Sequence, residues 1–239
     1  KNLPSASGLV FDCDGTLLDT MPIYYESWKR ACDELSLVFP IERFYSLAGA
    51  PVNDIFQLLI DEQIGNVEKK DEEKCQGDIT AEYCESVKRR HHADIEAEGR
   101  TAGPIDIVVQ IAHNYHGKIP MAVASSGWRD HVLTGLDRIG ILHLFDAVVT
   151  ADDEDVSNPK PAPDIFLIAA DRIGVCPTKC IGFEDADFGM KALKDAGFLY
   201  ASDVRLLHMY PRNVESRRSS LCESMHNSDG DEREEKIRD

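Results

Sequence analysis

A chain of 239 residues, 43% of them hydrophobic, is long enough to bury a sizeable core as one domain plus a smaller insert. Its formal charge of −17 and pI near 4.8 argue against a nucleic-acid partner, which would need a basic face, and against an anionic membrane surface. The seven cysteines are scattered, odd in number and without C-x-x-C spacing, so they read as reduced thiols of a cytoplasmic compartment; Cys176 and Cys180 come nearest to a metal-ligand pair. No apolar run approaches a membrane span, and a chain that starts at Lys1 leaves a removed targeting segment open.

In chain order, the apolar run at 8–11 predicts a buried parallel strand ending in an acidic turn. Residues 21–100 carry helical periodicity only, at 24–35, 41–47, 53–64 and 79–97, with a charged loop at 67–78. From there strand-like runs at 121–124, 147–150, 180–183 and 198–201 alternate with helical patterns at 104–116, 129–139, 162–173 and 187–196. Such alternation means βαβ units and an α/β fold, a doubly wound parallel sheet. Residues 1–20 and 101–207 therefore form the α/β core, and 21–100 an all-helical insert that would sit above the sheet's carboxyl edge as a lid. The segment 208–239 is polar and mixed in charge, and is expected to be a mobile tail.

The chemistry concentrates at strand ends. Asp12 and Asp14 would project the same way if extended geometry persisted, and Gly15 permits a sharp exit behind them. Paired carboxylates are costly to hold close unless a cation or proton is shared, although Asp and Gly also make ordinary turns. Ser125 and Ser126 end the second strand, where hydroxyls and free amides suit a phosphoryl oxygen as well as they suit a helix cap. Lys160 lies among Pro159, Pro161 and Pro163, which stiffen the loop and pre-position its ammonium as an anion ligand. Glu184 and Asp185 end another apolar strand, and with Asp12 they make an oxygen-only set suited to Mg²⁺; Asp187 is a candidate helix cap. His113 and His116 are spaced as a helix pair, but surface histidines are the better reading, and His91 and His92 are candidates to face the site from the lid.

With these segments in order, residues 8–207 resemble the haloacid dehalogenase superfamily of phosphotransferases, through the motifs DCDGT, the strand-end Ser125, KPAPD and the Glu184-Asp185 pair. The stretches KPAPD and FEDADFG are similar to the β-phosphoglucomutase branch, and the chain through Asp203-Val204-Arg205-Leu206-Leu207 to its bacterial fructose-1-phosphate phosphatases. The resemblance implies a helical cap placed after the first motif. It implies Asp12 as nucleophile, Asp14 as general acid and base, and Ser125, Ser126 and Lys160 as phosphoryl-binding groups. It also implies Mg²⁺ held by Asp12, Glu184, Asp185 and the Asp14 carbonyl, and a cap glycine turn, Gly49, against the substrate. Cys13 would point to the opposite face as packing.

The resemblance implies a phosphatase acting as a monomer on a small phosphorylated metabolite, with a β-phosphoglucomutase as the alternative and a catalytically silent binding protein as a remote one. The mutases hold their second phosphate with a cap arginine after the glycine turn, and Val52 stands there in this sequence. They also carry a histidine just past the first motif, where this chain has Tyr24. Lys88 is the one lid lysine suited to a Schiff-base role, as a phosphonate hydrolase would require, and Lys88, Arg89 or Arg90 are the candidates to replace the missing arginine.

Overall fold

The computed structural model describes residues 6–64 and 79–211. The expected charged loop at 67–78 and the expected tail from residue 212 onward lie outside the described residues, as do Cys75 and Cys222. In chain order the elements are β1 (Gly8–Phe11), α1 (Met21–Glu34), α2 (Ile41–Ser46), α3 (Val52–Gln63), α4 (Ala81–Ala97), α5 (Asp106–Tyr115), β2 (Met121–Ser125), α6 (Arg129–Arg138), β3 (Ala147–Thr150), α7 (Asp164–Arg172), β4 (Cys180–Glu184), α8 (Asp187–Asp195) and β5 (Tyr200–Asp203).

The strands form one parallel sheet in the order β3-β2-β1-β4-β5. From β1 the chain moves outward on one side through β2 and β3, then returns to the other side for β4 and β5. Strand β1 therefore lies at the point where the order reverses, and the crevice at its carboxyl edge is where open α/β sheets bind ligands. Every residue of β1, β2 and β4 is buried, which is why these strands read as continuous apolar runs. Leu9 and Phe11 project into the layer containing Val108 of α5 and Leu136 of α6; Val10 projects into the opposite layer with Phe166 of α7 and Leu193 of α8.

Some boundaries shift from the expected ones for local reasons. Strand β5 begins at Tyr200, opposite Ile181, two residues later than expected, because Phe198 turns inward against Phe166 with ring centroids 5.9 Å apart. As a half-exposed edge strand, β5 also lacks the apolar run that marks the central strands. Helix α7 starts at Asp164 rather than at 162, with Pro163 as its N-cap, since Ala162 precedes that proline and a residue before proline is disfavoured from helical geometry. Helix α4 starts at Ala81 behind Thr80, whose hydroxyl accepts from the Tyr83 amide at 3.3 Å.

Helices α1–α4 lie between β1 and α5 and have a core of their own, built on Trp28, Phe39, Phe44, Phe56, Leu59 and Val87. The chain leaves for this insert and returns from it side by side. Leu18 bridges Pro104, the Asp19 amide donates to the Gly103 carbonyl at 2.9 Å, and the Ile105 amide donates to the Leu17 carbonyl at 2.9 Å.

The expected tail does not begin at His208. Tyr210 is only 3% exposed, belongs to the core cluster shared by β1, α5 and α6, and donates its hydroxyl to the Gly15 carbonyl at 2.8 Å. A segment poor in apolar residues can still dock through one aromatic ring, which buries a large area at little entropic cost.

Candidate active site

The site is assembled from the carboxyl ends of the three central strands. One residue past β1, the Asp12 amide still donates to the Phe183 carbonyl of β4 at 2.9 Å, so the first carboxylate is held in sheet register. Cys13 is fully buried in the core on the other side. Gly15 has a φ of +79°, and a Cβ there would lie 2.2 Å from Asp185 Oδ2. Glycine is thus required both for the turn and for the approach of the β4 carboxylate. Thr16, fully buried, places its hydroxyl 3.5 Å from Asp185 Oδ1.

Lys160, in the loop between β3 and α7, reaches back to β1 and β4. Its Nζ donates to Asp12 Oδ1 at 2.6 Å, Glu184 Oε1 at 2.9 Å and the Ala124 carbonyl at 3.2 Å, and lies 4.6 Å from the centre of the Phe166 ring. The other Glu184 oxygen, Oε2, accepts from the Ala186 amide at 2.6 Å. Ser125 is buried at the end of β2, and its Oγ accepts from the Gly127 amide at 3.0 Å; the Ser126 side chain is exposed. Asp187 does not cap α8. Ala186 holds that position, and Asp187 accepts instead from Arg205 Nη2 at 2.7 Å.

Three buried carboxylates, Asp12, Glu184 and Asp185, cluster beside the buried Lys160 ammonium, which leaves an excess of negative charge among them. Burial pushes the Asp185 carboxyl well above its usual range, reinforced by the charges of Glu184 and Asp12. Glu184 is pushed to about 7 by burial, against the pull of Lys160, and Asp12 is raised on the same balance. Burial works against the Lys160 ammonium, yet the charges of Asp12 and Glu184 outweigh it and its proton is held more tightly than usual. Oxygens from Asp12, Glu184 and Asp185 lie within 4.8 Å of one another. A buried all-oxygen set with uncompensated negative charge, pressed against a glycine that leaves room for it, has the donor chemistry of a divalent-cation site and fits Mg²⁺.

Among the described residues, the insert meets this edge from α1 and from the loop that carries Gly49. From α1, the Tyr24 hydroxyl donates to Asp14 Oδ1 at 2.9 Å. The loop carrying Gly49 lies over the turn that follows Asp185: a Cβ on Gly49 would be 3.4 Å from the Cβ atoms of Ala186 and Phe188. Lys88 of α4 holds its Nζ 5.5 Å from the Tyr24 ring centre and 5.8 Å from that of Trp28, and the His92 ring is 5.4 Å from Tyr24. His91 turns away from the site to Glu34, with Nε2 2.8 Å from its carboxylate. His113 is exposed, and His116 faces the Leu144 carbonyl at 3.2 Å, so the two do not converge.

Some groups that shape the site carried little signal in sequence. Gly189, inside α8, gives the Glu184 side chain its space, since a Cβ there would fall 1.6 Å from Oε1. Its signals in sequence were an isolated glycine in a helical pattern and its place at the end of the FEDADFG stretch, neither of which shows what it makes room for. Tyr210 lay in a segment without periodicity.

The model of the haloacid dehalogenase-like hydrolases matches residues 9–201, from within β1 to within β5, and includes Asp12, Asp14, Ser125, Lys160, Glu184 and Asp185. The chain belongs to that family of enzymes. Among curated relatives, fructose-1-phosphate phosphatase YqaB of Escherichia coli is 36% identical over 201 residues, covering 84% of this chain and 97% of the relative. A β-phosphoglucomutase of Bacillus subtilis is 26% identical over 193 residues, 79% of each chain. Among solved structures, β-phosphoglucomutase from Clostridium difficile superposes with a TM-score of 0.61 at 21% identity, covering 85% of this chain and 88% of the other. As a haloacid dehalogenase-like hydrolase, the chain has the parallel five-stranded sheet with flanking helices that the sequence predicts. No helix among the described residues is long and apolar enough to cross a membrane.

Proposed function

We propose that the chain hydrolyses small phosphate monoesters, sugar phosphates such as fructose 1-phosphate, through a phosphoaspartyl intermediate on Asp12. The observation that carries this reading is the convergence of Asp12, Lys160, Glu184 and Asp185 at one sheet edge with Asp14 beside them. The 36% identity to an enzyme named fructose-1-phosphate phosphatase supports the substrate class.

The Asp12 carboxylate attacks phosphorus while the bond to the ester oxygen breaks and Asp14 gives that oxygen its proton. Water then attacks the same phosphorus and passes its proton to the Asp14 carboxylate. The bond to Asp12 breaks, releasing inorganic phosphate and restoring both groups. Lys160 offsets the Asp12 charge that would otherwise repel an incoming dianion, and with the Ser125 hydroxyl it holds phosphoryl oxygens, while Ser126 and Gly49 line the substrate's approach. Mg²⁺, held by Asp12, Asp185 and the Asp14 carbonyl with Glu184 as the third carboxylate, would supply further charge neutralisation at the phosphoryl group. In this reading the α1–α4 insert is the cap, and the paired linkers at Leu18 and Pro104 are its hinge.

Phosphate release from fructose 1-phosphate in the presence of Mg²⁺ is the direct test, paired with Asp12→Asn. That variant should lose at least about a thousandfold in kcat, because a covalent nucleophile acts as one unit with its neighbours. Wild-type turnover by Asp12→Asn would overturn the assignment.

A further inference from the structure

We propose that Trp128 is a specificity-determining residue, an aromatic platform on the core that packs against the ring of a cyclic sugar leaving group. This rests on the phosphatase reading above and narrows its substrate class. Trp128 is 70% exposed, more than any other aromatic side chain among the described residues. A single exposed apolar side chain calls for no explanation of its own. Trp128 is set apart by where it stands and by how firmly its backbone is held.

It follows the Ser125–Gly127 turn directly. A Cβ on Gly127 would lie 3.2 Å from Asp14 Oδ2 and 3.2 Å from Ser125 Oγ, so the residue before the indole borders both the acid and the phosphoryl-binding hydroxyl. The leaving oxygen takes its proton from Asp14, and the sugar it carries therefore starts beside this turn. The direction of the indole is set by α6. Trp128 is the N-cap of that helix and His131 its third residue, positions whose side chains are neighbours at a helix start. The His131 imidazole is close enough for its charge to act on Asp14 and on His92 of α4. The end of α6 that carries Trp128 and His131 thus borders the cleft between core and insert, on the Asp14 side.

The platform is also rigid. On one side of Trp128, the Ala151 amide donates to the Gly127 carbonyl at 3.3 Å. On the other, the Arg129 amide donates to Asp152 Oδ1 at 3.0 Å, and its guanidinium to Asp153 Oδ1 at 2.9 Å and the Val148 carbonyl at 3.3 Å. Both neighbours are fastened to β3 and the loop after it, so the indole is exposed from a fixed backbone and binding has little ordering to overcome. An indole offers a broad, flat apolar face. A ring-form sugar has a matching face of C–H groups, which a short acyclic polyol lacks.

The test compares Trp128→Ala and Trp128→Phe with wild type on fructose 1-phosphate and on glycerol 1-phosphate, whose leaving group is too short to close a ring. Inorganic phosphate, as a competitive inhibitor, probes the phosphoryl site with no leaving group at all. Trp128→Ala should raise KM for fructose 1-phosphate by about tenfold with kcat within about threefold of wild type, since a stacking face supplies uniform binding. Trp128→Phe should recover most of that loss. For glycerol 1-phosphate kcat/KM, and for phosphate the inhibition constant, should move by less than about threefold. Equal losses on both esters, a matching loss of phosphate binding, or an unchanged KM for the sugar ester in Trp128→Ala would overturn the proposal while leaving the phosphatase reading in place. A wild-type protein that hydrolyses neither ester would remove that reading, and this one with it.

Discussion

The Tyr210 hydroxyl donates to the carbonyl of Gly15 at 2.8 Å, across 195 residues of sequence. Gly15 is the residue pressed against Asp185, so this bond ties the segment after β5 to the turn that carries Asp12 and Asp14.

Tyr210→Phe should therefore destabilise the protein by about 1–3 kcal/mol, the cost of leaving a buried carbonyl without its donor. Truncation after Leu207 should cost more, about 3–5 kcal/mol, because it also removes a buried aromatic ring. Urea unfolding midpoints for the full chain, the Phe variant and the truncated chain measure both effects. Coincident midpoints would mean that the contact holds nothing in place.

Gly189→Ala separates the demands of the helix from those of the site. On helix propensity alone the change would stabilise by up to about 1 kcal/mol. The added Cβ, however, would fall 1.6 Å from Glu184 Oε1, the oxygen that accepts from Lys160. Glu184 must move, and Lys160 loses one of its two carboxylate partners. The expected outcome is a fall of about tenfold or more in kcat/KM, since misplacement by about 1 Å can cost 10²-fold. Unchanged kcat/KM and unchanged Mg²⁺ dependence would show that the pocket absorbs the methyl group.

Much of this arrangement is legible in sequence because the central strands are buried on both faces. Continuous apolar runs announced β1, β2 and β4, and each ended in the polar residues that make the site. Lys160 was legible because its flanking prolines leave the loop little freedom. The half-exposed edge strand β5 was misplaced because its pairing needs no apolar pattern, and Phe198 imitates strand character while packing as a core plug. Tyr210 acts across 195 residues on the Gly15 carbonyl, and Gly189 and Tyr24, though near Glu184 and Asp14 in sequence, act across turns that no local periodicity spans, so these contacts became visible only with the fold.

Cation binding should be coupled to pH in a definite sense. Burial raises Asp12, Asp185 and Glu184, the last to about 7, so the cation-free folded state holds these protons more tightly than the unfolded chain does. Each such group favours folding at low pH, and that contribution is lost as pH rises from the ordinary carboxylate range through about 7. A bound cation needs the carboxylates ionised, so it opposes the loss. Melting temperature without divalent cation should fall over this window, and added Mg²⁺ should raise it, by more on the alkaline side than the acid side. At a hundredfold excess over the dissociation constant the gain is about 2.7 kcal/mol. Asp185→Asn should abolish the Mg²⁺-dependent rise. A rise of equal size across the window would contradict the coupling.

The same geometry predicts hydrolysis in preference to isomerisation of glucose phosphates. A phosphoglucomutase must retain a bisphosphate, with one phosphate at the nucleophile and the other gripped from the insert. That grip calls for a charge-assisted contact to a cation placed for it, ideally bidentate. Val52, where the resemblance puts the mutase arginine, is instead the half-buried first residue of α3, packed against the insert's core. Of the candidate substitutes, Arg89 pairs with Glu85 at 2.7 Å and Arg90 with Glu34 at 2.5 Å, both on the exposed side of α4. Lys88 lies beside Tyr24 and Trp28, and as a flexible point charge it offers a weaker hold than a guanidinium fork. The phosphorylated intermediate should therefore release its sugar and meet water before a second transfer. Incubation with β-glucose 1-phosphate and a trace of the 1,6-bisphosphate, coupled to glucose-6-phosphate dehydrogenase, compares the two fates directly. Inorganic phosphate should appear faster than glucose 6-phosphate; the reverse order would identify a mutase and would require Lys88 to hold the second phosphate.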